Sequence, residues 1–161
     1  MAETKQYSES EAAGDLLELD DFLPYRLAAL SHQVSVSLGN LYADRFGLSI
    51  PEWRVMAILG RHPNATANVI AERGAMDKVQ VSRAVTRLTA AGILDREVDG
   101  HDRRRIKLRL SRSGERIYRT IVPLARGYEA DLLAGLSTED RQALTRILAA
   151  LGARALTLAA R

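Results

Sequence analysis

No cysteine occurs in the 161 residues of this chain. That excludes a disulfide framework, a thiolate zinc site, an iron–sulfur cluster and a thiol redox sensor. No apolar run approaches the roughly 20 residues that span a bilayer. The opening Met1-Ala2-Glu3-Thr4-Lys5 leads into no apolar core, so no secretory signal is expected. The chain is read as soluble and cytoplasmic, without a membrane partner. Repeats and low-complexity tracts are missing, and the apolar share of 47% is too high for a disordered protein. The length suits one domain with a short accessory layer rather than two. No nucleophile stands with a base, and no paired carboxylates, metal set or phosphate-binding glycine loop has usable spacing. Neither an enzyme nor a cofactor is expected.

What is present is an uneven charge. Lys and Arg number 23 against 20 Asp and Glu, a formal net charge of +3. Residues 1–21 hold seven acids against Lys5, and residues 76–116 hold eleven basic groups against six acids. The second stretch carries a local basic field that suits a polyanion, because neutralising phosphates releases condensed counterions. Arginine is common throughout, so the pattern within the stretch must decide.

Residues 1–15 are polar, acidic and aperiodic and are expected to be a mobile tail. From Leu23 the steps Leu27, Leu30, Val34, Leu38 and Leu41 make one helical stripe that should stop near Gly47. Ser49-Ile50-Pro51-Glu52 reads as a capping box opening a helix with Trp53, Val55, Met56, Ile58 and Leu59, ending at Gly60. A short helix is expected from Thr66 to Glu72, broken by Gly74. Asp77 and Gln80 read as a second capping box for a helix from Lys78 to about Ala91, buried through Val81, Val85 and Leu88. The period then changes. Ile93 to Val98 is extended, Asp99-Gly100 signals a hairpin, and Ile106, Leu108 and Leu110 alternate with Arg105, Lys107 and Arg109. That strand should have one apolar and one cationic face. Ser111 caps a helix expected to run to Leu136, and Ser137 caps a last one with the stripe Leu144, Ile147, Leu148, Leu151, Ala155, Leu158.

Helix, short turn, helix, then an arginine-rich hairpin is a winged helix-turn-helix. The fold class is mainly α with a small β-hairpin wing, flanked by N- and C-terminal dimerisation helices. The major groove admits one α-helix, and the second helix of the pair would lie in it. Arg takes guanine O6 and N7 together, and Gln takes adenine N6 and N7. A thin arginine-tipped hairpin suits the narrow minor groove, where the potential is most negative.

The residues Gly47 to Val55, Lys78 to Arg83 with Arg87-Leu88, and Asp102 through Gly114 resemble the MarR family of bacterial transcription regulators. The wing signature is the most specific of the three: an Asp, any residue, an Arg, an alternating strand and a Thr-x-x-Gly helix start. Ser111 replaces the Thr and keeps the capping hydroxyl. The resemblance implies a single domain over residues 16–161, with 16–47 and 112–161 as dimerisation helices and 49–111 as the DNA-binding region. It implies a homodimer that binds double-stranded DNA at an inverted-repeat (palindromic) operator, usually represses, and lets go when a small ligand binds. By the family pattern Asp102 orients Arg104, Arg104 enters the minor groove, and Arg103 and Arg105 contact the backbone or groove wall. Lys78, Gln80, Ser82, Arg83, Thr86 and Arg87 belong to the major-groove helix, and Thr66 and Asn68 are phosphate contacts. The dimer also has a direct warrant, because the first and last two helices carry more apolar stripe than a lone winged domain can cover.

Arg26, His32 and Ser35 are interleaved with the first helix's apolar stripe, and Trp53 lies on the next helix. Each could be an ordinary polar or core position. Together they could wall an apolar crevice with a few polar anchors, as small-ligand sites are built. In this family the ligand lies between the dimer helices and the winged domain. Arg and His would suit a carboxylate or phenol. The Leu23-Pro24-Tyr25-Arg26-Leu27 and Glu52-Trp53-Arg54 segments resemble the members of aromatic-compound catabolism, so the expected effector is an aromatic carboxylate or its coenzyme A thioester. The family's peroxide sensors need an ionisable thiol, which is lacking here. The isolated His32, His62 and His101 argue against a zinc sensor. Two other readings stay open: a non-specific architectural DNA binder, and a winged helix used for protein contacts.

Overall fold

The computed structural model describes residues 17–98 and 106–160. The acidic tail and the Asp99–Arg105 segment, with its expected turn, lie outside the described residues. In chain order the elements are α1 (Leu23–Phe46), α2 (Ile50–Arg61), α3 (Ala67–Gly74), α4 (Lys78–Ala90), β1 (Leu94–Val98), β2 (Ile106–Leu110), α5 (Arg112–Leu132) and α6 (Thr138–Ala159). The fold is mainly helical with one small antiparallel hairpin, as the sequence pattern predicts.

Local chemistry explains most element boundaries. At the start of α2 the Glu52 carboxylate accepts the Ser49 N–H at 2.8 Å and the Ser49 hydroxyl accepts the Glu52 N–H at 3.4 Å, a complete capping box. At α4 only half of the expected box forms. Asp77 accepts the Gln80 N–H at 2.7 Å, and the Gln80 side chain stays exposed instead of turning back to the cap. The Ser111 hydroxyl accepts from the Gly114 N–H at 3.1 Å and donates to the Gly92 carbonyl at 2.7 Å, which ties the start of α5 to the turn before β1. Ser137 and Asp140 form a capping box on α6.

Three boundaries differ from the sequence expectation. The second helix continues one residue past Gly60 to Arg61. The left-handed residue after α3 is Ala75, at φ 47°, while Gly74 completes the helix. A β-carbon on Gly74 would lie 2.8 Å from Met76 Cε and 3.1 Å from Ile58 Cδ1, the free ends of side chains that can shift to make room. The fifth helix stops at Leu132 rather than Leu136. The Arg141 guanidinium donates to the Leu133 and Leu136 carbonyls at 2.8 and 3.2 Å, so a side chain of α6 satisfies the turn that ends α5.

The core is centred on α2. Val55, Met56 and Leu59 are buried against Ile70 of α3, Val81, Ala84, Val85 and Leu88 of α4, Leu94 and Leu108 of the hairpin, and Ile121 of α5. The hairpin register pairs Leu94 with Leu110, Arg96 with Leu108 and Val98 with Ile106. The Leu108 N–H donates to the Ala65 carbonyl at 3.0 Å and fastens the hairpin to the loop before α3. The α1 stripe changes role along its length. Leu38 and Leu41 pack on the core, whereas Leu23, Leu27 and Leu30 are exposed. No residue of α6 is buried, and Leu144, Ile147, Leu148 and Leu158 of its stripe are exposed.

Gly114 meets the hairpin most closely. A β-carbon on it would collide with the Ile93 carbonyl oxygen, which already accepts the Ser111 N–H at 2.9 Å. Gly→Ala inside a helix ordinarily stabilises by about 0.5–1 kcal/mol. Here the expected sign reverses: Gly114→Ala should cost about 1–3 kcal/mol through overpacking against backbone. Urea unfolding checks this, and an unchanged midpoint would contradict the contact.

Candidate nucleic-acid interface

Helix α4 buries Val81, Ala84, Val85 and Leu88 and leaves Lys78, Gln80, Ser82, Arg83, Thr86 and Arg87 exposed. The 3.6-residue period thus separates a core face from a polar face. Thr86 spends its hydroxyl proton on the Ser82 carbonyl at 2.9 Å, so it faces a ligand only as an acceptor. Two grooves flank the polar face. One, about 570 Å³, lies toward the start of α2 and is lined by Pro51, Glu52, Gln80, Arg83 and Arg87 among others. The other, about 190 Å³, lies between α3, α4 and the hairpin and brings together Asn68, Lys78, Ser82, Thr86 and Arg96. Thr66 caps α3 without a side-chain hydrogen bond.

Arg87 is already engaged. Its Nη1 stands 3.6 Å from Glu52 Oε1, and Glu52 is only 6% exposed while the Arg87 side chain is 77% exposed. One carboxylate therefore closes the α2 cap and faces the arginine of α4. Removing Arg87 would leave a poorly solvated carboxylate, whereas removing Glu52 would leave a guanidinium that water already reaches.

The cationic face expected on β2 is largely neutralised. Arg109 lies 3.5 Å from Asp95 and 3.7 Å from Glu97, and Lys107 stands opposite Glu97 in the register. The reason is cross-strand pairing: β1 supplies acids on the same face. Sequence reasoning missed Arg96, which pairs with Leu108 on the other face and opens into the smaller groove. Strand parity was the available signal, since Arg96 sits two residues from both Leu94 and Val98. Asp102, Arg103, Arg104 and Arg105 lie outside the described residues. The chain leaves β1 and re-enters β2 at the paired residues Val98 and Ile106.

A crevice of about 390 Å³ between α1, α2 and α5 is lined by Val34, Leu38, Trp53, Tyr118, Val122, Tyr128, Arg126 and Glu129 among others. Trp53 lies 4.7 Å from the Tyr42 ring and stacks on Tyr118 at 6.0 Å. Of the four residues expected to hold an effector, Trp53 lines this crevice. Ser35 accepts a hydrogen bond from Arg54 Nη2 at 3.2 Å, and Arg26 and His32 are exposed and line no part of it. The charged groups at the crevice are Arg126 and Glu129. Tyr118, Val122, Ala125 and Glu129 recur at steps of four, three and four, a periodicity visible in the sequence. Among the described residues no three His, Asp or Glu side chains converge as a metal set.

Residues 46–105 match the MarR family. The transcriptional regulator HosA of Escherichia coli O157:H7 is 24% identical over 101 residues, covering 63% of this chain and 75% of that protein. A MarR family transcriptional regulator from Silicibacter pomeroyi is 28% identical, with a TM-score of 0.72 over 83% of this chain and 89% of that one. The family match covers less than half of this chain, which is similar to these regulators in its winged-helix fold. The fold is shared with two further solved proteins, each 21% identical. One is the Staphylococcus aureus MepR–DNA complex, with a TM-score of 0.75 over 83% of this chain and 98% of that one. The other is PcaV of Streptomyces coelicolor with its natural ligand, with a TM-score of 0.71 over 87% and 98%. The MarR-type proteins it resembles are transcriptional regulators, not enzymes. No described helix is long and apolar enough to cross a membrane.

Tyr42 gives the MarR-like core a pH signature. Its hydroxyl is buried without a hydrogen-bond partner among the described residues. Burial, and secondarily Tyr128, push its pKa from 10.0 up to about 12. Between these values the unfolded chain loses the proton while the folded chain keeps it, so stability should fall as pH rises from 10 to about 12. Tyr42→Phe should remove that component and, by deleting an unsatisfied buried hydroxyl, raise stability near pH 7 by about 1 kcal/mol. Urea midpoints at pH 7 and pH 11 test both, and a marked destabilisation at pH 7 would reveal a partner for the hydroxyl.

Proposed function

We propose that this chain is a DNA-binding transcription regulator that acts in the cytoplasm as a homodimer on an inverted-repeat operator, represses, and is released by an aromatic carboxylate or its coenzyme A thioester. The observation that carries the DNA reading is the polar face of α4, set on a rigid core within the segment that matches the MarR family. Gln80, Ser82 and Arg83 reach base edges. Lys78, Asn68, Thr66 and the outer part of Arg87 meet flanking phosphates, and Thr86 accepts at the groove wall. Arg104, oriented by Asp102 and flanked by Arg103 and Arg105, enters the minor groove. MepR, which shares the fold, has been solved with DNA.

The dimer reading rests on apolar surface that the chain leaves open. Leu23, Leu27 and Leu30 of α1, Leu132 of α5 and the stripe of α6 are exposed. Contiguous patches of this kind mark interfaces. A twofold arrangement would bury them within residues 16–47 and 112–161 and set two copies of residues 49–111 about one duplex turn apart.

The effector reading rests on the aromatic crevice, whose volume falls within the range of small-ligand sites. Trp53, Tyr118 and Tyr128 supply flat apolar walls, and Arg126 supplies a carboxylate partner. PcaV, of the same fold, has been solved with its natural ligand.

Fluorescence anisotropy on the DNA beside the chain's own gene, against scrambled DNA, tests the reading. Tight, sequence-dependent binding that one aromatic acid or its thioester releases is the expected result. Equal affinity for both duplexes would favour an architectural binder, and no salt-dependent affinity a protein-contact module. Arg104→Ala should weaken operator binding at least tenfold while sedimentation still reports the dimer. Full retained affinity would contradict the role given to the wing.

A further inference from the structure

We infer that Arg96 is a DNA-backbone anchor: with Lys78 and Asn68 it holds a phosphodiester in the cleft between α3, α4 and the hairpin base. This rests on the DNA-binding reading and adds to it a contact on the hairpin strand itself.

Four observations on Arg96 converge. First, strand parity puts it on the inner face of β1, opposite Leu108 and between Leu94 and Val98. That face is otherwise apolar, and the core does not cover Arg96, which remains exposed. Second, it has no carboxylate partner among the described residues. Asp95 and Glu97 belong to the opposite face, where they lie against Arg109. Third, the cleft it opens into contains a second cation, Lys78, and the amide of Asn68, and no acidic side chain lines it. The larger groove on the other flank of α4 contains Glu52, which offsets its arginines. Fourth, the volume of about 190 Å³ falls below the range of small-molecule sites but admits one tetrahedral anionic group.

An unpaired guanidinium beside an ammonium, with no acid to offset them, selects a doubly held phosphate oxygen pair. Such a contact carries no sequence information. It positions the protein on the duplex and contributes counterion release. Arg96 lies two register pairs from Val98–Ile106, so a phosphate held there fixes the hairpin base against the DNA backbone.

The test compares wild type, Arg96→Gln and Arg96→Lys by anisotropy on operator and scrambled duplexes across a salt series. Arg96→Gln should weaken both duplexes by a similar factor, roughly three- to tenfold, and lower the slope of log affinity against log salt by about 1. Arg96→Lys should keep the wild-type slope. The urea midpoint of Arg96→Gln should match wild type, because Arg96 makes no ion pair among the described residues. An unchanged slope in Arg96→Gln, with wild type binding normally, would overturn this inference alone. So would a loss confined to the operator, which would make Arg96 a base reader, or a slope in Arg96→Lys as low as in Arg96→Gln. Absence of salt-dependent binding by wild type would instead overturn the DNA reading and this inference with it.

Discussion

The buried carboxylate of Glu52 is the constraint on which the rest of the arrangement depends. One oxygen closes the first turn of α2 and the other faces Arg87 of α4. A charge this poorly solvated is tolerated only with both partners in place. The next two residues of α2 point elsewhere, as steps of about 100° require. Trp53 enters the aromatic crevice, and Arg54 donates to Ser35 of α1. Val55, Met56 and Leu59 then hold the common core. Helix α2 is therefore the shared support of the polar face of α4, the crevice and the long first helix. A displacement of its first turn would be felt at all three.

Charge in this molecule is organised more selectively than its total suggests. The stretch from 76 to 116 is the most basic of the chain, yet the outer face of the hairpin spends its cations on Asp95 and Glu97, and Arg87 is matched by Glu52. The hairpin pairs are half-exposed, in high dielectric, and contribute little to stability. Their consequence is directional. Two cations that make no ion pair among the described residues, Lys78 and Arg96, line one cleft beside Asn68. A field concentrated there favours one approach of a polyanion over others.

Much of the fold was legible in the sequence because its signals are local. The serine caps at 49, 111 and 137, the α4 stripe and the alternation of β2 each depend on neighbours within a turn or a strand. What was not legible depends on contacts between distant segments. Glu52 and Arg87 are 35 residues apart, and no local pattern joins them. The neutralised hairpin face and the inner position of Arg96 follow only once the register of β1 against β2 is known. The early end of α5 is set by Arg141, a side chain of the following helix. Ala75, and not the neighbouring Gly74, takes the left-handed position. Arg26 and His32 share a helix with crevice residues but do not line the crevice. The wing motif from Asp102 to Arg105 is carried by the sequence alone.

The central claim is that the polar face of α4 and its flanking clefts meet DNA while the α5 side does not. The absence of cysteine allows a direct measurement. Ser82→Cys places a single thiol on that face, and Thr120→Cys places one on the exposed side of α5. Maleimide alkylation of each would be timed with and without duplex, with binding verified by anisotropy. The account predicts that duplex slows the reaction at position 82 at least tenfold and leaves position 120 unchanged. Equal rates at position 82 with DNA bound, or protection at position 120 alone, would contradict it.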